Sequence, residues 1–524
     1  MSILPKKYLF TAIAAVLSLF IQAQVQRGGI PVSWNLEEVV DDNHSFISLP
    51  EIDIEALLLE DLANDEDKHG SQRFAYAHSV ELDLDNSGRW TNLQNGDRIW
   101  QLAIYGEGAS SLSVTFSDFF LPKGSVMYIY TPDRSEVIGA FTSANNKNTG
   151  VFSSVPIHSE EIIIEYYEPF SRRNDGRLTL RTIAQAYRGM ETSERDSDPS
   201  SSCHVNARCP ENSRWFEASS STVLLTLADG TRWASGVLLN NSSYSGRPLV
   251  LTSYSALHGD PSAWVCTFNH TSLTCSPSSS SKLNMSISGA RLLESDMESD
   301  VALIELSLQP LVEWRVQYAG WDASNVTPKH VTSLHHPGGD VQKLAHYSLA
   351  PSNGYFSGKE TWQIDNWHEG TTETGSLGAP LFDENKRVIG WFYAGGHSCI
   401  NQGVSDHFSK FSNAWHKLKK YLDPFNAGYT ALDGFYPGFD QIDEEIIKKE
   451  IGLFPNPTAD RINVFNDTEE GFLGYAIFDM HGKILIEEVY SGGPIYLGTL
   501  SPGAYILQLQ LSESIIRRKV IVHP

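Results

Sequence analysis

Short runs in which hydrophobic and polar residues alternate cover much of the chain, and this pattern predicts β-strands. From about Tyr76 to Pro169 the runs are separated by glycine and proline turns; they include residues 80–84, 99–104, 126–130 and 162–166. Several strands at this spacing favour an antiparallel β-sandwich. One helix is expected before them, around residues 52–62.

The rest of the chain continues the β pattern in two further blocks, which makes the predicted fold class all-β. Residues 202–437 form a long central block, and residues 451–524 carry strand-sized runs between Asn-Pro, His-Gly and Pro-Gly turns, which predict a small β-sandwich. The polar stretch 188–201 is predicted to be a linker. A second linker, 438–450, includes a short charged helix candidate at 441–449.

The first 23 residues have the pattern of a secretory signal peptide. Lys6 and Lys7 precede an apolar run, and a plausible cleavage site comes before Gln24. The first domain is therefore expected at residues 24–187. No other segment has the roughly 20 apolar residues of a membrane helix, so an exported, soluble protein without a transmembrane segment is expected. Export would permit disulfide bonds.

The composition of the chain disfavours some classes of binding partner. The formal net charge is -24, which disfavours nucleic acids and anionic membranes because both select Lys/Arg patches. Part of the acidity lies in residues 61–67, which we interpret as a solvated run. The five cysteines allow at most two bridges and one free thiol, too few for a disulfide scaffold.

The stretch GTTETGSLGAPLFD, residues 370–383, is the most informative motif of the central block. A polar turn with Gly375 and Gly378 leads into an apolar strand. The stretch resembles the nucleophile loop of trypsin-like serine proteases, and most closely the lysyl endopeptidase family, which has GSSGSPLF here. The resemblance places Leu377 at the position of the catalytic serine. A leucine side chain has no lone pair with which to attack a carbonyl carbon.

Other motifs extend the resemblance over some 230 residues in the family's order. They are CHVNARCPE, WASGVLLNN, LVLTSYSAL, SDVALIEL, AGWD, LHHPGGD, GGHSC and SDHFSKFSNAW. The resemblance implies two six-stranded antiparallel β-barrels with the active site between them. Residues 24–187 resemble, less specifically, the propeptide-like domain that precedes proteases of this family.

A serine protease needs a hydroxyl nucleophile, an imidazole base and a carboxylate that orients the base. The resemblance assigns the carboxylate to Asp300, but it places Ser255 at the histidine position. With Leu377, two of the three roles are vacant. His258 and Ser376 lie nearby, and we interpret both as solvated loop residues because catalysis tolerates little misplacement. A serine–imidazole hydrogen bond in the groove, from whichever residues, would contradict the interpretation that the catalytic roles are vacant.

The cysteines give a separate check on the alignment. The resemblance implies the bridges Cys203–Cys399 and Cys209–Cys275. The family's third bridge falls on Ala234 and Ala256, so both of its halves are absent together. The remaining Cys266 is predicted to be a buried small hydrophobic residue on a strand.

One feature of a substrate pocket is kept. Asp406, in SDHF, falls where the family has the aspartate that receives the substrate's lysine, and Gly375 is also assigned to substrate binding. Asp406 has two interpretations, a retained Lys/Arg pocket or a carboxylate held by local hydrogen bonds. Tyr393 replaces a pocket histidine, and Trp367 takes a pocket-flanking position approximately. His335 and His336 favour a structural turn over a metal site; no metal or cofactor is expected.

Residues 451–524 resemble the C-terminal sorting domain of type IX secretion substrates, from the FPNP opening to the basic-then-valine end. The resemblance implies contact with that secretion machinery and export across the outer membrane of a Gram-negative bacterium, with release or attachment at the cell surface. The leading hypothesis is a non-catalytic trypsin-like protein that binds proteins or peptides. The alternatives are an active endopeptidase that cleaves after lysine and a structural or adhesive surface component.

Overall fold

The computed structural model describes residues 29–35, 45–64, 70–188, 203–272, 275, 283–399, 401–436, 451–454, 458–466, 474–479, 484–490, 493–510 and 515–523. The predicted signal peptide, most of the 188–201 linker, the 438–450 linker and the helix expected at 441–449 lie outside these residues. Within the described part of the chain, no helix combines the length and the apolar character needed to cross a membrane.

The N-terminal region contains the helix α1 (Ile54–Asn64) and a series of strands. The strands are β1 (Ser45–Ser48), β2 (Gln72–Arg73), β3 (Ala75–Asp83), β4 (Arg89–Asn92), β5 (Arg98–Tyr105), β6 (Ser111–Phe120), β7 (Val126–Tyr130), β8 (Val137–Phe141), β9 (Phe152–Ser153), β10 (Glu161–Glu168) and β11 (Arg177–Ala186). All four strands predicted from alternation, and the helix, are present.

Two sheets face each other in this region and enclose one apolar core. The first has the order β1-β5-β10-β7-β8 with β4 on β5, and the second has the order β3-β11-β6-β9. Their inward-facing side chains are buried, and those of Trp100, Phe116 and Ile164 are each at most 2% exposed. Alternating strands bury one face each, so two such sheets are stable only when packed together.

The central region contains the helices α2 (Phe216–Ser219) and α3 (Phe411–Leu422). Its strands are β12 (Val205–Asn206), β13 (Thr222–Thr226), β14 (Arg232–Leu239), β15 (Leu249–Ser253), β16 (Val265–Phe268), β17 (Ser286–Ser288), β18 (Ala290–Asp296), β19 (Val301–Leu306), β20 (Gly320–Asp322), β21 (Val331–His335), β22 (Lys343–Tyr347), β23 (Ser352–Phe356), β24 (Lys359–Ile364), β25 (Pro380–Phe382), β26 (Arg387–Gly395), β27 (Asp406–Lys410) and β28 (Ala431–Leu432).

These strands form two large sheets. The first central sheet has the order β17-β16-β13-β14-β15-β19-β18, and β2 from the N-terminal region pairs with β14. The second central sheet has the order β12-β22-β21-β25-β26-β27-β24-β23, with β20 and β28 attached through β26. The resemblance implied six strands in each unit. The described sheets have eight and ten strands, and these counts include the short strands β2, β20 and β28, which attach beside the interior strands β14 and β26.

A shared core joins the two central sheets and positions the loops between them. Leu251 of β15, Phe382 of β25 and Trp391 of β26 belong to one cluster of fully buried side chains. The amphipathic helix α3 adds Phe411 and Leu418 to the same cluster. The loops that end β15, precede β19 and precede β25 therefore meet where the sheets meet.

The C-terminal region contains two smaller sheets. Its strands are β29 (Ile451–Phe454), β30 (Arg461–Asn466), β31 (Gly474–Asp479), β32 (Ile484–Val489), β33 (Ile495–Tyr496), β34 (Gly503–Gln510) and β35 (Ile515–Val522). They are ordered β29-β30-β33 and β32-β31-β34-β35, around buried residues such as Ile462, Leu507 and Val520. The all-β class predicted from the sequence is confirmed; the exact domain boundaries remain predictions.

Candidate functional site

Asp300 is fully buried immediately before β19 and is held by donors from the end of β15. Its Oδ1 accepts hydrogen bonds from Ser255 Oγ at 2.8 Å and Ser255 N at 3.0 Å, and its Oδ2 accepts one from Ser253 Oγ at 2.6 Å. Burial raises the pKa of Asp300, and the hydrogen bonds from Ser253 and Ser255 oppose that shift. Both oxygens are satisfied without an imidazole.

The backbone of Asp300 is fixed as firmly as its side chain. Its φ is 52°, in the left-handed region that non-glycine residues seldom adopt. Its carbonyl oxygen accepts hydrogen bonds from Tyr254 N at 3.0 Å and from Trp391 Nε1 at 2.7 Å. Such strain persists where the surroundings hold it in place, as it does at many active sites.

Leu377 lies in the loop before β25 and is 1% exposed. Its side chain belongs to the apolar core of the first central sheet, in the same cluster as Ala234 and Ala256. These alanines are the positions at which the resemblance expects the missing third bridge. A leucine and two alanines thus contribute apolar atoms where a protease of this family would carry a hydroxyl and a disulfide.

The loop around Leu377 is clamped to the first central sheet. Ser235 N donates to Leu377 O at 2.8 Å, and Ser235 Oγ donates to Gly375 O at 3.1 Å. Gly378 has a φ of 80°, and a Cβ there would lie 2.1 Å from Thr252 Oγ1. The same Cβ would lie 3.0 Å from Ser253 N, so this loop directly contacts the end of β15 that carries Ser253 and Ser255.

A serine–imidazole contact does exist beside this loop. Ser376 Oγ lies 2.7 Å from His335 Nδ1 and also accepts a hydrogen bond from Glu373 N at 3.2 Å. Both Ser376 and His335 are 0% exposed. The prediction that Ser376 is a solvated loop residue is wrong, because the turn directs its hydroxyl inward to β21 rather than outward to solvent.

His258 is separate from this contact. Its side chain is 42% exposed, and its Nε2 lies 3.5 Å from Asp229 Oδ2. The prediction of a solvent-exposed polar residue is confirmed for His258, with Asp229 as an ionic partner when the imidazole is protonated. Hydrogen bonds from His258 and Thr231 lower the pKa of Asp229 against the opposing effect of its burial.

Asp406 is fully buried at the start of β27 and already has protein donors. Its Oδ2 accepts hydrogen bonds from Trp367 Nε1 at 2.7 Å and from Thr372 Oγ1 at 2.6 Å. Its Oδ1 accepts a longer one from His397 N at 3.4 Å. A Cβ on Gly395 would lie only 2.1 Å from Oδ1, so the glycine leaves room for this oxygen.

Tyr393 lies in a β-bulge of β26, where the pairing with β27 shifts between Phe392 and Ala394. Its ring is buried, and Lys359 Nζ lies 4.6 Å from the ring centroid. Lys359 Nζ also donates a 2.5 Å hydrogen bond to Met297 O, in the loop before Asp300. A partly exposed cation of the second central sheet therefore reaches across to the first.

The cysteines are joined in the two pairs that the resemblance implies, Cys203–Cys399 and Cys209–Cys275. Cys266 is free and fully buried on β16, and burial raises the pKa of its thiol well above the ordinary value. An inert core cysteine is expected from that environment.

His335 ends β21, His336 follows it, and both are fully buried. Burial lowers the pKa of His336 to about 4, and that of the neighbouring His270 to about 3. Two groups of potential metal ligands occur among the described residues; they are His204 with Glu373 and Cys399, and Cys209 with Glu211 and Cys275. Their cysteines are disulfide-bonded and offer no thiolate.

Sequence reasoning missed four residues that shape the site: Ser253, Thr372, Trp391 and Lys359. Ser253 and Thr372 lie close to assigned residues in sequence, and a buried carboxylate requires donors, so a search for nearby hydroxyls would have found them. Trp391 and Lys359 carry no such signal, because they come from strands remote in sequence.

Comparisons with known proteins agree with the motifs. Residues 197–409 match the family described as lysyl endopeptidase, C-terminal domain, and residues 452–523 match the secretion system C-terminal sorting domain. Solved structures that resemble the chain include the HtrA-type protease AlgW with a tripeptide, at 12% identity and a TM-score of 0.29, over 59% of this chain and 96% of that chain. Another is an inactive mutant of Rv3671c from M. tuberculosis H37Rv, at 15% identity and a TM-score of 0.25, over 41% and 92%.

Proposed function

We propose that the central domain binds proteins or peptides without cleaving them. The chain carries a trypsin-like lysyl endopeptidase domain and a secretion sorting domain. The sorting domain indicates export across the outer membrane to the cell surface or the medium. The finer proposal is that this exported protein is a pseudoprotease.

The observation that carries the proposal is the hydrogen bond between Ser255 Oγ and Asp300 Oδ1 at 2.8 Å. A catalytic aspartate orients an imidazole, which in turn takes the proton of the nucleophile. Here a serine side chain satisfies the carboxylate, and a serine hydroxyl is far too weak a base to replace imidazole. Leu377, buried in the adjacent core, supports the same conclusion because it offers no nucleophile.

The second candidate, an endopeptidase that cleaves after lysine, is favoured by one observation, the 2.7 Å contact between Ser376 and His335. Against it, both side chains are fully buried, so a polypeptide substrate has no access to that hydroxyl. The carboxylate contacts of Asp300 also go to Ser253 and Ser255.

A fluorophosphonate probe and lysine-containing peptides separate the two candidates. We expect no covalent labelling of the purified full-length protein and no cleavage, under conditions in which an active lysyl endopeptidase reacts. Labelling that is lost in Ser376→Ala would contradict the proposal and identify the second candidate. Labelling that survives Ser376→Ala would also contradict it and would point to another nucleophile.

We propose that the bound protein or peptide places a lysine or arginine side chain against Asp406. Oδ2 is occupied by Trp367 and Thr372, whereas Oδ1 has only the long hydrogen bond from His397 N among the described residues. A carboxylate oxygen has two lone pairs, so Oδ1 keeps the capacity to accept from a cationic side chain. Asp406 is 0% exposed, as Ser376 is, so the proposal requires the protein to open beside Gly395 before a ligand side chain can reach Oδ1.

The binding test uses one peptide in two forms, with lysine or with the uncharged norleucine at the same position. We expect the lysine form to bind more tightly, and the difference to disappear in Asp406→Asn. Asp365→Asn is the matched control, because Asp365 is exposed and bonded to Ser405 nearby. Equal binding of both peptides would contradict the Asp406 proposal, and binding of neither would favour a structural or adhesive surface component.

A further inference from the structure

The segment that leads out of α1 is built into the first central sheet. The short strand β2 pairs antiparallel with the start of β14, with Gln72 opposite Trp233 and Arg73 opposite Arg232. Phe74 N donates to Thr231 O at 2.8 Å, and Arg232 donates from its side chain to Ser71 O at 2.9 Å. A strand from the N-terminal region thus pairs with the first residues of an interior strand of the central sheet.

The apolar core of the N-terminal sandwich continues into the same sheet. Phe74 is 1% exposed and stacks on Trp233 with ring centroids 3.6 Å apart and planes within 4°. The cluster of buried residues that fills the sandwich also contains Leu224, Trp233, Val265 and Leu283 of the central region. An interface that shares a buried aromatic core resembles an obligate one rather than a transient domain contact.

Polar contacts with the N-terminal region also fix the segment. Arg73 forms ion pairs with Asp61 at 2.8 Å and with Glu60 at 2.7 Å. Asp61 is 1% exposed and also accepts from Tyr187 Oη at 2.6 Å. The prediction that the acidic run beginning at Asp61 is solvated is therefore wrong for Asp61, because this carboxylate is needed beside Arg73.

A second junction lies at the other end of the interface. Ser288 Oγ accepts a hydrogen bond from Ser153 N at 3.0 Å, and Lys147 Nζ donates to Ser288 O at 2.9 Å. The N-terminal region is thus attached to the first central sheet at β14 and again at β17. Two separated attachments restrict rotation of one region against the other.

The added strand also lies next to the nucleophile loop. A Cβ on Gly375 would be 3.2 Å from Gln72 Oε1, and one on Gly338 would be 3.8 Å from the same oxygen. The start of β14, which would otherwise present an open edge to an extended peptide, is therefore already paired.

We infer that the N-terminal β domain is a permanent subunit of the folded protein, and that its segment 71–74 occupies the edge beside the nucleophile loop in place of an external peptide. The inference is independent of the proposed function, because segment 71–74 would pair with β14 in the same way whether or not the central domain cleaves peptides. It contradicts a role of this domain as a removable propeptide.

The test places a site for a sequence-specific protease between residues 190 and 201 of the full-length chain and cleaves it after folding. We expect the two pieces to elute together in size-exclusion chromatography at micromolar concentration in native buffer. Separation of the wild-type pieces would overturn the inference directly, whatever the behaviour of any variant.

Two variants test which side chains hold the cleaved pieces together. Phe74→Ala removes the stacking on Trp233, and we expect about 30-fold weaker association of the cleaved pieces. Ser288→Ala removes the acceptor of Ser153 N at the second junction, and we expect about tenfold weaker association. Phe170→Ala is the matched control, because Phe170 is 62% exposed in the same domain. Equal association of the control, Phe74→Ala and Ser288→Ala would contradict the assigned surface.

Discussion

Ser255 Oγ donates a 2.8 Å hydrogen bond to Asp300 Oδ1 at the point where a trypsin-like protease would pair an imidazole with its aspartate. The backbone N–H of the same serine donates to the same oxygen at 3.0 Å. The serine thereby supplies the donors that a buried carboxylate needs. Ser255 is part of the structure that supports Asp300.

Ser255→Ala should therefore destabilise the protein, because Ser255 donates a side-chain hydrogen bond to the buried Asp300. Loss of the hydroxyl leaves Asp300 short of one donor, and we expect the free energy of unfolding to fall by about 1–3 kcal/mol. The loss should be greatest at neutral pH and decrease in acid, because protonation of Asp300 removes the buried charge. Urea titrations of tryptophan fluorescence at two pH values measure this, with the exposed Ser117→Ala as control. Equal stability of both variants would contradict the structural role.

Leu377→Ala tests whether the nucleophile position has become core. Leu377 is 1% exposed and belongs to an apolar cluster, so its truncation should cost about 2–5 kcal/mol of unfolding free energy. Leu349→Ala is the control, because Leu349 is 56% exposed in the same region and should change stability by no more than about 0.5 kcal/mol. A loss below about 1 kcal/mol for Leu377→Ala would mean that the position is open to solvent.

Two glycines with nearly equal φ allow the cost of a left-handed backbone to be measured apart from the cost of a steric clash. Gly378 has a φ of 80° and no room for a Cβ, whereas Gly358 has a φ of 81° and nothing within 4 Å of that position. Gly358→Ala should cost about 1 kcal/mol from the left-handed backbone alone. Gly378→Ala should lower the melting temperature much more, or prevent folding, because the new methyl group meets Thr252 and Ser235. Similar losses for both would show that the loop can move away from β15.

Lys147 should make stability depend on pH. Burial lowers the pKa of its amine from 10.5 to about 7, so between these values the unfolded chain binds a proton that the folded chain does not. Stability should therefore rise with pH across that window, and the destabilisation should be complete below about pH 7. Lys147→Met should raise the melting temperature by about 2 °C or more at pH 6 and by much less at pH 10.

Calorimetry at both pH values tests this prediction. The control is Lys123→Met, because Lys123 is exposed in the same domain and should change the melting temperature little at either pH. If Lys147→Met lowers the melting temperature at pH 6, the hydrogen bonds of Lys147 to Ser288 outweigh the cost of burying the amine.

The sequence alone determined the all-β class, because alternation along a strand records which side chains face a core. It also determined that residue 255 carries no imidazole and residue 377 no hydroxyl, whatever the fold. The pairing of Cys203 with Cys399 and of Cys209 with Cys275 followed from the family resemblance.

The tertiary structure alone decided which groups meet. Ser376 turns inward to His335, Asp61 is buried beside Arg73, and Gln72 lies at the edge of β14 beside Gly375. The physical reason is that alternation specifies a face of each strand but not its neighbour. Partners from distant strands are set by sheet order and register, which depend on how whole sheets pack, and no local pattern encodes them.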